Sequence, residues 1–542
     1  MKSPHLNVRE EALKRKFLSV MGLCLVASQL FIVATPAASS AVSPPDFLWV
    51  SQAGGASSDL GRCIAIDGMG NLYVVGSFYD TATFGTNVLS SAGMWDIFVA
   101  KYDQTGRILW VRQAGGSDWD KGEAIGVDSQ GNCYVTGYFQ KTVSFGSTNL
   151  TSAGGQDAFL ARYDRNGVLQ WDQAGGQGYG SVVAVDTNGN CYLRGVGAPE
   201  WGGTNYPNGF VARFTADGLL LWAQRTESNY SELSGSLALD REQNCYVTGI
   251  FYGNARFGGT IITGQGGWDM FLAKYDSAGT FQWVRQAGGG GSDGGIAIAV
   301  GSSGDCYVVG QYERSIRFGS TNLTSPAAYS SFLARYNSMG ELQWLQTVGI
   351  SGTAFAYAVA TDTEDNCYVT GYFTGRNAFS ITSVTSAGSA DVFVAKYDRT
   401  GVLQWVQQAG GLGEDMGQGM VVDAAHNCYV IGTFGGVVTS GRRAIFGEIS
   451  LTSVGHADVF IAKLGETLRF DTSSSALGIA NKVLQLRLRG LSGQGSVILQ
   501  ASTNLVDWEP IFIHPPVIDI LELADPTVTE HSMRFYRAIE GN

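Results

Sequence analysis

Asp59, Asp120, Asp293 and Asp415 stand at one position of a repeating sequence, and Glu232 stands there in a further copy. Carboxylates gathered around one opening could offer oxygen ligands to a hard cation such as Ca2+. They could equally cap their own turns by accepting backbone amides two residues on. The glycine two positions after each of the four aspartates favours the capping use. A second set is aromatic. Trp95, Trp268 and Tyr329 share one repeat position, and Trp119 and Trp201 fall in nearby connections. Exposed rings there could stack on a sugar or on a partner's apolar surface; the structural alternative is packing against the adjacent loop. The ligand-binding candidates are therefore Trp95, Trp119, Trp268 and Tyr329, and the metal candidates are the five acids.

The elements that must position these residues are set by a tryptophan period. Trp49, Trp110, Trp171, Trp222, Trp283, Trp344 and Trp405 are spaced by 61, 61, 51, 61, 61 and 61 residues. A fixed period of this size signals an array of one supersecondary unit. Each unit opens with a short apolar strand ending in Asp, as in Ile64-Ala65-Ile66-Asp67. A tight turn follows (Asp186-Thr187-Asn188-Gly189-Asn190), then a strand of the type Cys133–Phe139. A longer loop leads to a third strand, Asp157–Tyr163, and a hairpin at Asp164-Arg165-Asn166-Gly167 leads to the tryptophan strand. Four antiparallel strands, apolar on both faces, match a propeller blade packed between two neighbours.

The seventh unit stops at Val459–Leu464 without a tryptophan strand, whereas the chain begins with an unattached one, Phe47–Gly55. The N-terminal strand is therefore expected to complete the last blade and close the ring, which removes exposed edges. The expected fold is all-β: a seven-bladed β-propeller over 46–464, followed by a small C-terminal β-sandwich-like module over 465–542. The third unit is ten residues short, mostly around Trp201–Asn208.

Units such as Ala297–Gly310, with Gly-Gly-x-x-x-Asp-x-Gly and Ile-Ala-Val-Asp-x-x-Gly-Asn-x-Tyr-Val-Thr-Gly as the shared pattern, resemble SBBP repeats, the β-propeller repeat of exported bacterial proteins. The resemblance spans Phe47 to Leu464. It implies a secreted or surface propeller and implies no catalytic residues. The chain departs from the pattern in preferring Cys where Val is common. Leu499–Trp508 and Arg534–Ala538 resemble a C-terminal module of large exported bacterial proteins, which implies a cap, a spacer or an attachment.

Lys14-Arg15-Lys16, the apolar run Phe17–Val33 and Ala37–Ala41 follow the order of a secretory signal peptide over 1–41, with an uncleaved anchor as the alternative. No second apolar span follows, so no membrane span is expected after cleavage. Gly at 74 of 542 residues and charged residues at 15% suit many short strands and tight turns. A net charge of −12 offers no basic stripe for nucleic acid.

Cys133, Cys191, Cys245, Cys306, Cys367 and Cys428 hold one repeat position that Leu72 fills in the first unit. A site that takes Leu or Cys is an apolar packing site, so buried free thiols are expected in place of disulfides. No His-Glu-x-x-His or phosphate-loop motif occurs. The expected function is an exported, non-catalytic binding or structural protein that recognises glycan or a cell-envelope protein, with no cofactor other than optional Ca2+. The alternative is an extracellular polysaccharide-acting enzyme, a lyase or glycosidase, using carboxylates brought together from distant blades.

Overall fold

A computed structural model describes residues 25–26 and 44–540, apart from 198–199, 202–203, 206–208, 229–234, 381, 437–440, 467–468, 471–477, 481–482, 493–495, 504–505 and 528–532. Regular structure among the described residues is β-strand throughout. Contacts divide the chain into two compact units, Val42–Leu464 and a second that contains Gly465–Asn542. The remainder of the expected signal segment lies outside the described residues, as does Glu232.

One four-strand pattern recurs in the larger unit. A representative copy runs Lys121–Val127, Cys133–Ser144 and Asn149–Tyr163, and continues into Leu169 onward. Adjacent strands are antiparallel, with Val127 opposite Cys133, Cys133 opposite Tyr163, and Tyr163 opposite Leu169. The first turn is tight because Asp128 accepts the amides of Gln130 and Asn132, while the Asn132 side chain returns to its other oxygen at 2.7 Å. The second strand is central, so Cys133, Tyr134 and Val135 are all fully buried.

The connection between second and third strands is not the loop that the sequence suggests. The two strands continue as one long hairpin, Leu72–Phe84 with Asn87–Tyr102, paired out to Phe84 and Asn87. Alternation explains it. Ala82 and Phe84 turn inward, and Phe84 packs on Phe98 with ring centres 4.8 Å apart. The equivalent hairpin of the next unit also reaches the sheet before it, where Gly115 and Gly116 pair with Ser144 and Val143. That junction accounts for the Ala-Gly-Gly ending of the tryptophan strand. A Cβ on Gly115 would stand 2.0 Å from the Asp96 carboxyl carbon, and one on Gly116 would stand 1.9 Å from the Thr142 carbonyl oxygen. Only glycine permits so close an approach.

The short third unit departs in two places. Leu169–Val185 is one 17-residue strand that carries the fourth strand of one sheet directly into the first strand of the next. The long hairpin shrinks to Glu200–Trp201 paired with Thr204–Asn205. Trp201, placed by the sequence among the loop aromatics, is buried against Phe210 and Phe214 at 5.3 and 5.6 Å. It fills the space that Phe84 fills beside Phe98, because the shortened hairpin delivers no phenylalanine there.

Successive sheets are tied forward. The indole N–H of Trp110 donates to the Arg165 carbonyl at 3.1 Å, and that of Trp222 donates to Ser277 at the same distance. The Tyr134 hydroxyl crosses to the Gly189 carbonyl at 2.7 Å. The strand Asp46–Gly54 lies beside Asp458–Gly465 in a sheet that continues through Cys428–Phe434 to Met416–Val422. Phe47 sits edge-on to Phe446 at 5.4 Å within that sheet's core. The first strands touch in series, and Asp59–Ile66 contacts both Lys121–Val127 and Met416–Val422.

The C-terminal unit contains two small sheets. Val483–Ser492 pairs with Ile518–Asp525, and Val497–Ser502 lies between Glu509–His514 and Met533–Glu540. Leu484, Leu486 and Leu488 of one sheet share a core with Val497, Leu499 and Tyr536 of the other.

Candidate functional site

The junction aspartates do not gather around one opening. Each is buried between two sheets, with 0 to 2% of its surface exposed. Asp59, Asp120 and Asp415 accept the amide of the second junction glycine (Gly55, Gly116 and Gly411) at 2.7, 2.6 and 2.7 Å. The donor lies four residues before the acid, not two after it as a simple turn cap predicts. The other oxygen of Asp120 and Asp415 takes an amide from the following hairpin, Gln140 or Gly435. Asp293 likewise accepts the Glu313 amide at 3.1 Å.

A second buried aspartate, at the start of the third strand, accompanies each of these: Asp458 with Asp59, Asp96 with Asp120, Asp269 with Asp293, and Asp391 with Asp415. Burial is the chief effect and the neighbouring carboxyl adds to it, so Asp59 is pushed up to about 8 and Asp120 and Asp293 to about 7. One oxygen on each of Asp59, Asp96, Asp269, Asp293, Asp391 and Asp458 has no hydrogen-bond partner. Among the described residues no three His, Cys, Asp or Glu side chains come together in a metal-binding group. These carboxyls therefore join sheets.

The aromatic candidates separate into three places. Trp268 packs on Tyr252 at 5.8 Å, and Tyr329 lies across the strand pair from Glu313 with 43% of its surface exposed. Trp95 and Trp119 are brought together by a parallel bridge, although 24 residues separate them in sequence. Tyr79 stands edge-on to Trp95 at 5.9 Å. The Lys121 ammonium lies between the indoles, 4.8 Å from the Trp95 ring centre and 5.3 Å from that of Trp119. Burial there, with the nearby Arg62 charge, holds its pKa below the ordinary lysine value.

The patch continues inward along the first strands. Arg62 meets Glu123 at 3.8 Å, and Tyr138 lies against Tyr179 with ring centres 6.4 Å apart. Tyr138 pairs across the sheet with Lys121, which joins rim and interior. Sequence reasoning missed Lys121, Arg62, Glu123, Tyr138 and Tyr179. A signal was present: the third residue after the junction acid reads Arg62, Glu123, Ile296 and Gln418, between neighbours that stay small or apolar. A column that varies in charge within an otherwise regular repeat marks a solvent-facing or ligand-facing position.

On the opposite, hairpin-bearing end, a cavity of about 430 Å³ is lined by the first turns of several units, including Thr187, Arg241, Ser302 and Thr363. Its acids are engaged. Asp186 pairs with Arg213 at 3.0 Å, Asp240 with Lys274 at 3.5 Å, and Asp362 with Lys396 and His426 at 3.3 and 3.0 Å.

Residues 109–138 match the β-propeller repeat family SBBP. The chain is 22% identical over 505 residues to an uncharacterized WD repeat-containing protein of Acanthamoeba polyphaga mimivirus, covering 71% of this chain and 36% of the relative. It is 24% identical over 362 residues to the regulatory protein FlaEY of Caulobacter vibrioides, covering 61% and 32%. The chain thus spans about a third of the length of the curated relatives it matches. Similar solved structures include the Dos1 propeller, with TM-score 0.38, 9% identity and coverage of 79% of this chain and 96% of that one. A gluconolactonase of Xanthomonas campestris has TM-score 0.29, 12% identity and coverage of 62% and 95%.

Proposed function

We propose that this β-propeller repeat protein is an exported, non-catalytic binding protein of seven blades, closed by its N-terminal strand, that recognises glycan through the face bearing Trp95 and Trp119. The observation that carries this reading is the cluster of Tyr79, Trp95, Trp119 and Lys121, with Tyr79 and Trp119 each 37% exposed. Flat aromatic faces beside a polar group supply stacking area and orientation for a sugar ring. The disposition of the acids supports binding over hydrolysis, since the junction carboxyls join sheets and Glu123 faces Arg62. Glycosidic hydrolysis commonly uses two carboxyls roughly 5–10 Å apart across the bond.

The test is a glycan-array screen of the chain from residue 42, with Trp95→Ala and Trp119→Ala beside it. Binding that both substitutions abolish supports the reading. Binding untouched by either moves the site elsewhere, and no glycan binding at all sinks it in favour of a protein partner.

A further inference from the structure

The geometry points to an acidic sugar, one bearing a carboxylate, as the ligand class of the Trp95–Trp119 site, with Lys121 as the residue that selects it. This inference rests on the glycan reading above and adds the charge of the ligand to it.

The Lys121 ammonium meets two indole faces and, among the described residues, no carboxylate within 4.0 Å. Nor does any described protein atom accept a hydrogen bond from it. Its three charge-bearing donors are thus half-buried with no acceptor among the described protein atoms. Desolvated cations that lack an anion are costly, and the indole quadrupoles offset only part of that cost. The nearby Arg62 adds like charge, which Glu123 meets only at 3.8 Å, longer than a good charge-assisted hydrogen bond. The neighbouring acid Asp118 is occupied by Lys141 at 2.6 Å. In a chain of net charge −12, two cations are therefore concentrated where aromatic rings are exposed. A sugar carboxylate brought to the exposed Trp119 ring, whose centre lies 5.3 Å from the Lys121 ammonium, would meet that ammonium. A neutral sugar would leave the ammonium as it stands.

Titration calorimetry of the chain from residue 42 tests this with hexagalacturonate, its methyl-esterified counterpart and a κ-carrageenan hexasaccharide, which carries sulfate and no carboxylate. Hexagalacturonate should bind at least about tenfold more tightly than its methyl ester, with an advantage that shrinks as salt is raised. Lys121→Gln should reduce it to the ester's affinity, and Lys121→Arg should preserve most of the preference; unchanged thermal unfolding of both variants serves as the fold control. Equal affinity for acid and ester would overturn the inference and leave the glycan reading standing. Binding of the sulfated probe alone would keep an anion site but overturn the carboxylate assignment. Failure of all three probes and of neutral glycans on the array would overturn both.

Discussion

The side-chain amide of Gln407 donates to the Pro45 carbonyl at 3.1 Å, across 362 residues of sequence. In several other units the residue two after the tryptophan donates to a glycine carbonyl in the next unit's last hairpin, as Arg112 does to Gly167 and Gln224 to Gly279. At the seam no such hairpin connects the strands, and the residue that leads into the N-terminal strand supplies the acceptor. Phe47→Ala should therefore destabilise the larger unit by about 3 kcal/mol, the usual cost of emptying a buried phenylalanine site. Urea unfolding measures it. A loss below roughly 0.5 kcal/mol, the range of an ordinary surface change, would mean that the strand is a dispensable flap.

The junction carboxyls set a pH dependence. Their folded-state values are raised, so their contribution is complete below the unfolded carboxyl value of about 4 and is lost as pH rises through about 7 to 8. Thermal stability should fall between about pH 4 and pH 8, and Asp59→Asn should flatten part of that slope, because an amide cannot ionise. Calorimetry across that range decides the matter; a stability that rises from about pH 6 to pH 8 would contradict it.

The seven described cysteines are free, six of them buried and Cys63 partly so. Burial pushes the Cys133 thiol up to about 12 and raises the others as well. In the native chain from residue 42, a thiol reagent should modify Cys63 at most, and in denaturant without reductant it should modify all seven. Recovery of fewer in denaturant would show that disulfides form.

Tyr134 reaches Gly189 at 2.7 Å from a fully buried position. Tyr134→Phe keeps the ring and removes the hydroxyl, so it should cost about 1 to 2 kcal/mol, including the carbonyl left unpaired. The same substitution at exposed Tyr329 should be near neutral, and comparing the two unfolding midpoints separates the tie between sheets from mere ring packing.

Much of the strand order was legible because the repeat carries its own turn chemistry. Asp128 and Asn132 close a hairpin with contacts inside five residues, and such local patterns survive in sequence. The outer hairpins were less legible, since Phe84 and Ala82 read as loop residues until the preceding sheet is there to receive them. Trp201 misled for a related reason: an irregular aromatic in a shortened segment looks exposed, yet it substitutes for a phenylalanine that the deletion removed. Lys121 was invisible as a site residue. Its meaning depends on Trp95, which comes from the preceding unit, and no spacing within one repeat predicts that meeting.

The forward ties of Trp110, Arg112 and Tyr134 have one further consequence. Covalent repeat and cooperative module are out of phase, because units such as these donate to the hairpins of the one that follows. A single excised period would carry donors with nothing to meet them and acceptors with nothing to fill them, and would remain unfolded. A circularly permuted larger unit, opened at the tip of an outer hairpin such as Gly85–Thr86 and joined across the present seam, would keep these donors and acceptors and should fold as the native order does.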